Sequence, residues 1–460
     1  MTKAREALGS RIGFLLISAG CAIGLGNIWR FPHIVGAYGG AAFVLVYFFF
    51  LFLFAMPIMV MEFSVGRASR MNIAGSFHKL QPPGTKWHYF GFIGLAGNYL
   101  LMMFYTTVTG WLLAYFFYAA TGSFSGLDTA AVAAFFGDFL SRPGELALWM
   151  ALTVALGFLV CGIGLQRGVE RVSVIMMSGL FLLLFILVLR SVTLPGAGAG
   201  LKFYLLPDFG KMMESGLWTS IYAAMGQAFF TLSIGIGSMA IFGSYIGRDR
   251  ALTGETVNIV ALDTMVAVLA GFIIFPACFA FGINPGSGPG LIFVTLPNVF
   301  NNMTGGVFWG ALFFLFMSFA ALSTVVAVFE NIVSYGIDVK GWTRKKSALV
   351  NFFVVFAGSL PCVLGFNVLS GFHPLGGDSV ILDLEDFLVS DNILPMGAMV
   401  YLLFCTSRYG WGWDKFIAEA DAGKGLRFPR FLRGYLTYVL PLLMAVVIVM
   451  GYWNKFGPKS

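Results

Sequence analysis

Apolar residues run along the chain in long blocks, separated by short stretches that carry most of the charge. A helix rises about 1.5 Å per residue and the hydrocarbon core of a bilayer is about 30 Å thick, so a crossing helix needs roughly 20 mostly apolar residues. Eleven blocks approach or exceed that length: 12–38, 40–61, 89–117, 146–165, 172–189, 217–247, 257–281, 307–337, 347–366, 387–405 and 435–452. They predict an all-α integral membrane protein of eleven spans, numbered here in chain order.

Composition excludes the alternatives. Of 460 residues, 58% are hydrophobic and 11% charged, whereas soluble domains carry about 25% charged residues. With a mean hydropathy of +0.86, a soluble enzyme, a nucleic-acid binder and a disordered scaffold all drop out. The lipid bilayer is the expected partner. The first apolar block lacks a cleavage-like site and is expected to stay in the mature chain. All five cysteines lie in apolar blocks, so no disulfide framework is expected. His33, His78, His88 and His373 are scattered and form no catalytic cluster, so the chain does not read as an enzyme.

Charge sets orientation. With the N-terminus inside, 21 of the 28 Lys and Arg fall in inner segments and six in outer ones; positive loops face the cytoplasm. A multi-pass cell-membrane protein follows, with a cytoplasmic N-terminus and, given an odd span count, an external C-terminus. The inner loop 407–433 mixes Trp411, Trp413 and Phe416 with charges and is predicted to lie at the membrane interface.

Two spans carry an unusual centre. Span 1 holds Gly20-Cys21-Ala22-Ile23-Gly24-Leu25-Gly26-Asn27, and span 6 holds Ser233-Ile234-Gly235-Ile236-Gly237; both contain Ile-Gly-apolar-Gly. A glycine pair in a membrane helix often serves close packing. Recurrence five spans later favours a second reading, because an odd offset reverses topology. Spans 1–5 (residues 11–190) and 6–10 (215–406) then form an inverted repeat, with span 11 (431–455) apart. Broken helices leave backbone carbonyls and helix ends free at the midplane, where ions and substrate bind.

Gly26-Asn27-Ile28-Trp29-Arg30-Phe31-Pro32 after Ala22-Ile23-Gly24-Leu25, together with Gln227-Ala228-Phe229-Phe230-Thr231-Leu232-Ser233, resembles the neurotransmitter:sodium symporter family, its bacterial amino-acid transporters most. The resemblance covers nearly the whole chain and implies a bacterial inner-membrane carrier with two sodium sites. The first would use Ala22, Asn27, Thr231, Asp263 and the substrate carboxylate. The second would use carbonyls of Gly20, Ile23 and Ala320 with the hydroxyls of Ser323 and Thr324. Substrate would be bound by Ala22, Ile23, Gly24, Leu25 and Gly26, by Tyr105 at its carboxylate, and by Thr231, Ser233 and Thr324. Leu101, Phe230, Ile236 and Val328 would meet its side chain.

Where family members that carry monoamines have an aspartate, this chain has Gly24, so the resemblance implies an amino acid that brings its own carboxylate. Asp263 stands where Asn is usual and Ala267 where chloride-dependent members have Ser; a fixed carboxylate then replaces the mobile anion, and transport is expected to be chloride-independent. Tyr47, Gln227 and Thr231 match the other chloride-site positions. Glu62 and Glu330 match positions that support the ion sites by hydrogen bonding. Arg30 with Asp386 matches an outer gate, and Arg5 with Asp338, braced by Tyr245, an inner one. Leu8 stands where the family commonly has Trp. The implied function is sodium-coupled symport of neutral, hydrophobic L-amino acids into the cell by alternating access. The alternatives are an amino-acid sensor or a carrier of another small carboxylate-bearing solute.

Overall fold

The computed structural model describes residues 6–282 and 290–456. Among these, every regular element is helical apart from a single bridge between Arg250 and Lys424. Apart from the short helix Phe209–Glu214, in chain order they are α1 (Arg11–Ala22), α2 (Gly26–Ala37), α3 (Ala41–Ser69), α4 (Ile73–Leu80), α5 (His88–Ala120), α6 (Thr129–Leu140), α7 (Pro143–Ile163), α8 (Leu165–Val192) and α9 (Ala197–Leu205). Then follow α10 (Leu217–Thr231), α11 (Ser238–Gly243), α12 (Leu252–Ala280), α13 (Leu291–Asn301), α14 (Gly306–Asp338), α15 (Arg344–Leu364), α16 (Ile381–Thr406), α17 (Trp413–Ala420) and α18 (Arg430–Trp453).

Nine of the described helices are long and apolar enough to cross a membrane, and α1 with α2 forms a tenth crossing bent by 53°. Predicted span 6 appears as α10 and α11, each too short to cross alone, with an unwound stretch between them. In α14, 78% of the most apolar window is buried inside the protein, against 22% in α18, so α14 lies at the centre and α18 at the rim. Leu148, Ile175, Leu189, Phe353, Leu442 and Val449 are all at least 59% exposed and form part of the apolar outer surface, which in a membrane protein faces lipid.

Helix ends follow local chemistry. The Ser10 hydroxyl accepts from the Gly13 amide at the start of α1, and Asn72, Asp128 and Thr343 do the same for α4, α6 and α15. Close approach of α3 to α11 rests on glycine: a Cβ on Gly66 would fall 1.8 Å from the Ala240 carbonyl oxygen, and one on Gly243 2.4 Å from that of Phe63.

Three elements depart from expectation. α3 runs on to Ser69, well past the predicted end at 61. The stretch after span 7, read as a loop, contains α13. The loop 407–433 turns the aromatic residues of its centre inward: Trp411, Trp413, Phe416 and Phe428 are at most 7% exposed, with Trp413, Phe416 and Phe428 packed ring on ring, while Tyr409 and Phe431 towards its ends stay exposed.

Candidate substrate and ion site

Two helices stop in the interior. The Ile23 amide donates the last helical bond of α1 to the Ala19 carbonyl at 2.6 Å. Ile23 then turns extended, with φ −73° and ψ 101°. α10 ends at Thr231, and the chain crosses to α11 through Ser233, Gly235 and Gly237 with φ of 50°, 101° and 79°. At Gly235 both conformation and space demand glycine, since a Cβ would lie 2.3 Å from the Leu394 carbonyl oxygen.

Backbone groups freed inside a membrane protein must find partners within it. At the first break the Leu25 amide donates to the Tyr105 hydroxyl at 3.1 Å, and Gln227 Nε2 donates to the Gly26 carbonyl at 2.8 Å. Ser233 Oγ donates to the Cys21 carbonyl at 3.1 Å. At the second break the Gly235 and Met239 amides donate to the two oxygens of Glu62 at 2.8 and 2.9 Å. The Ile236 carbonyl accepts from Asn98 Nδ2 at 2.7 Å and from Asn331 Nδ2 at 3.4 Å. Glu62, Asn98 and Asn331 are all fully buried.

Oxygen atoms gather at two points beside the break in α1 and α2. At the first, the Asp263 carboxylate is fully buried; it accepts from Asn27 Nδ2 at 2.8 Å and from Thr231 Oγ1 at 3.1 Å. Asn27 Oδ1 in turn accepts from the Gly24 amide at 3.2 Å. Asn27, Thr231 and Asp263, from three separate elements, therefore meet, with Ala22 on the same broken segment. At the second, Thr324 Oγ1 lies 3.1, 3.2 and 3.4 Å from the carbonyls of Gly20, Ile23 and Ala320, and Ser323 Oγ lies 3.0 and 2.8 Å from those of Gly20 and Ala320. Neutral carbonyl and hydroxyl oxygens joined by at most one carboxylate suit a hard monovalent cation, by the chemistry that governs calcium and magnesium.

Between the breaks is a small cavity, with about 20 Å³ for the centre of a water-sized sphere. Its lining includes Ala22, Gly24, Gly26, Leu101, Tyr105, Phe230, Ser233 and Thr324, which sequence reasoning named, and Cys21 and Leu394, which it did not. Ile236 and Val328 are fully buried and are not among the residues that border it. Gly24 has no spare room here, as a Cβ would stand 2.4 Å from Tyr105 Oη and 2.7 Å from Thr324 Oγ1.

On the side of the cavity towards the start of α2, Arg30 does not reach Asp386. Its guanidinium lies 4.6 Å from the centre of the Phe230 ring, and Asp386 accepts from Ser390 Oγ at 2.5 Å; no ion pair joins the two among the described residues. A larger cavity, about 330 Å³ by the same measure, lies beside Arg30, bordered by His33, Tyr222, Ser390 and Asp391. On the opposite side Arg5 lies outside the described residues. Asp338 accepts from the Asn72 amide at 2.8 Å. The Tyr245 hydroxyl donates to Glu330 at 2.7 Å, and Arg344 holds both Glu330 oxygens, at 2.6 and 3.0 Å, as well as Glu6. Arg344 was missed because its partner lies fourteen residues earlier on another helix; the signal was the intramembrane Glu330, which called for a cation.

Comparison with known proteins agrees with this arrangement. The model of the sodium:neurotransmitter symporter family matches residues 5–130 and 129–459. The chain is 37% identical over 455 residues to the sodium-dependent transporter YhdH of Bacillus subtilis, covering 98% of each chain. It is 26% identical to the sodium-dependent serotonin transporter of Drosophila melanogaster over 507 residues, 99% of this chain and 78% of that one. Among solved structures, the crystal structure of MhsT in complex with L-phenylalanine superposes with a TM-score of 0.87 at 37% identity, covering 97% of this chain and 99% of that one. The protein is thus a multi-pass, sodium-dependent membrane transporter and not an enzyme, and it belongs to the sodium:neurotransmitter symporter family.

Proposed function

We propose that the protein is a sodium-coupled symporter of neutral, hydrophobic L-amino acids, working by alternating access and independent of chloride. The observation that carries this is Asp263: a fully buried carboxylate whose hydrogen-bond partners are the neutral groups of Asn27 and Thr231. A carboxylate away from water needs a positive partner. A sodium ion shared with a substrate carboxylate supplies one, and the fixed charge of Asp263 leaves chloride nothing to balance.

Ala22, Asn27, Thr231 and Asp263 would hold the first sodium, and Gly20, Ile23, Ala320, Ser323 and Thr324 the second. The substrate carboxylate would lie near Tyr105 and the amides of Leu25 and Gly26, at the start of a half-helix whose positive end favours an anion. Leu101, Phe230 and Leu394 give the side-chain region its apolar character, so a charged side chain would be excluded by its desolvation cost. The relative MhsT was solved with L-phenylalanine, which supports a hydrophobic amino acid here too.

The 21-to-6 distribution of Lys and Arg supports a cytoplasmic N-terminus. We read residues 11–190 and 215–406 as inverted halves and 431–455 as an added helix. In the cycle, the bundle of α1, α2, α3, α10, α11 and α12 rocks against the remaining helices, with Arg30 and Asp386 closing the outer path and Tyr245, Asp338 and the N-terminal stretch the inner one. Each positive charge moved inward gains about 2.3 kcal/mol per 100 mV, and a tenfold gradient adds about 1.4 kcal/mol. Two sodium ions then sustain an amino-acid gradient of roughly 10⁵-fold.

Uptake into proteoliposomes, with sodium and chloride varied independently across the neutral amino acids, tests this. Hydrophobic amino acids should accumulate in sodium and not in potassium, and replacing chloride by gluconate should leave the rate within about twofold. Uptake that stops without chloride, or proceeds equally in potassium, overturns the reading.

A further inference from the structure

The face assigned to the cytoplasm carries a second buried ionic cluster, remote from the substrate site. Arg67, near the end of α3, has a fully buried side chain, and Glu419 of α17 is 6% exposed. Arg67 Nε donates to Glu419 Oε1 at 2.7 Å and Nη2 to the Glu419 carbonyl. Nη1 donates to the Arg250 carbonyl at 2.7 Å, in the loop between α11 and α12. From the rim, Arg248 of that same loop donates to Glu419 Oε2 at 2.5 Å.

The two loops are also joined through their backbones. The Ala251 amide donates to the Lys424 carbonyl at 3.0 Å, and the Lys424 amide to the Asp249 carbonyl at 2.9 Å. Gly423 sits so close that a Cβ there would lie 2.4 Å from the Arg248 carbonyl oxygen. Trp413, Phe416 and Phe428 pack ring on ring beside the cluster.

Two other ion pairs on this face have a half-exposed partner, unlike the buried pairs Arg67–Glu419 and Arg344–Glu330. Arg11 pairs with Glu255 while 46% exposed, and Arg344 pairs with a Glu6 that is 52% exposed. Exposed pairs exchange for water at little cost. Separating a buried pair leaves an uncompensated charge. A motion that opens this face parts the half-exposed contacts at less cost than the buried Arg67–Glu419 pair.

We propose that Glu419 is a positioning residue for the transport cycle. Its carboxylate joins α17 to the end of α3 and to the α11–α12 loop, so the connection between α16 and α18 travels with the rocking bundle and acts as its joint with the outer helices. This rests on the alternating-access reading above.

The test is a reversible cross-link. Arg250 and Lys424 are paired by a bridge, a spacing compatible with a disulfide, and the five native cysteines are buried. The double variant Arg250→Cys, Lys424→Cys should take up amino acid in sodium at rates within about twofold whether oxidised or reduced. A tenfold loss on oxidation that reductant restores would mean that the loops separate in each cycle, and would overturn the proposal. If the reduced protein shows no sodium-dependent uptake while the wild type also shows none, the transport reading fails instead. A second variant, Glu419→Gln, should lower the uptake rate about tenfold while sodium-dependent substrate binding stays within about twofold, with Glu419→Asp recovering part of the rate. Equal losses of binding and rate would mean a general structural role and count against the proposal.

Discussion

At the scale of single residues, charge and space at the break decide the chemistry. Asp263 contributes a fixed negative charge where its neighbours Asn27 and Thr231 contribute only dipoles. Two unit charges about 4 Å apart interact by about 4 kcal/mol at the effective dielectric of a protein site. Asp263→Asn should therefore raise the sodium concentration for half-maximal amino-acid binding by at least about tenfold, measured by sodium titration at constant ionic strength; an unchanged midpoint would remove Asp263 from the ion site. Gly24 is limited by contact instead. Tyr105 Oη and Thr324 Oγ1 would stand 2.4 and 2.7 Å from an added Cβ, and both are held by bonds to the broken backbone. Gly24→Ala should lose substrate binding by about tenfold or more, read by scintillation proximity; near-normal affinity would mean that the break yields easily.

At the scale of elements, the breaks persist because side chains from other helices take over the backbone groups that a continuous helix would pair. Glu62 of α3 does this for two amides at once, at Gly235 and Met239. A hydrogen bond to a charged acceptor contributes about 1.5–3 kcal/mol, and an amide side chain can turn only one oxygen toward the two donors. Glu62→Gln should therefore lower the thermal midpoint in detergent by several degrees and abolish uptake, whereas Glu62→Asp should retain more of both. A variant as stable as the wild type would show that the unwound stretch is held by packing alone. The extension of α3 has a related origin: the apolar block stops at Glu62, but pairing of Glu62 with two amides and burial of Arg67 against Glu419 let the helix run to Ser69.

At the scale of the whole molecule, the two sides of the central cavity are closed by different means. On the side assigned to the exterior in the proposed orientation, the Arg30 guanidinium stacks on Phe230, which borders the cavity. On the side assigned to the cytoplasm, Tyr245 and Arg344 converge on the fully buried Glu330, and Arg344 Nη1 also donates to the Cys161 carbonyl at 3.2 Å. Removing one partner of a buried ion pair costs about 3–5 kcal/mol. Arg344→Ala should thus bias the carrier toward its inward-open form and expose Cys161, which is fully buried here. Maleimide labelling of Cys161 should rise about tenfold; unchanged labelling would show that Arg344 does not hold this side shut.

The number of apolar blocks, the side to which positive charge is biased and the two glycine-rich interruptions were all present in the linear pattern, because each depends only on residue type and spacing. Asn27, Thr231, Asp263, Ser323 and Thr324 were named through the family resemblance and not by spacing, at positions whose oxygen chemistry suits a cation. The sequence did not name Cys21 and Leu394, which border the cavity, or the Phe230 ring as the neighbour of the Arg30 guanidinium. It also sent Trp411 and Trp413 to the interface, although they pack inward. Arg344 with Glu330, Arg67 with Glu419, and α13 within a presumed loop were not visible at all. What the sequence determined by itself was where the chain enters lipid and where its helices must break, since the cost of exposing polar groups to hydrocarbon is local. Which donor meets each freed carbonyl, and which cation meets each buried acid, was decided only in three dimensions, because those partners lie up to hundreds of residues apart and are brought together by helix packing.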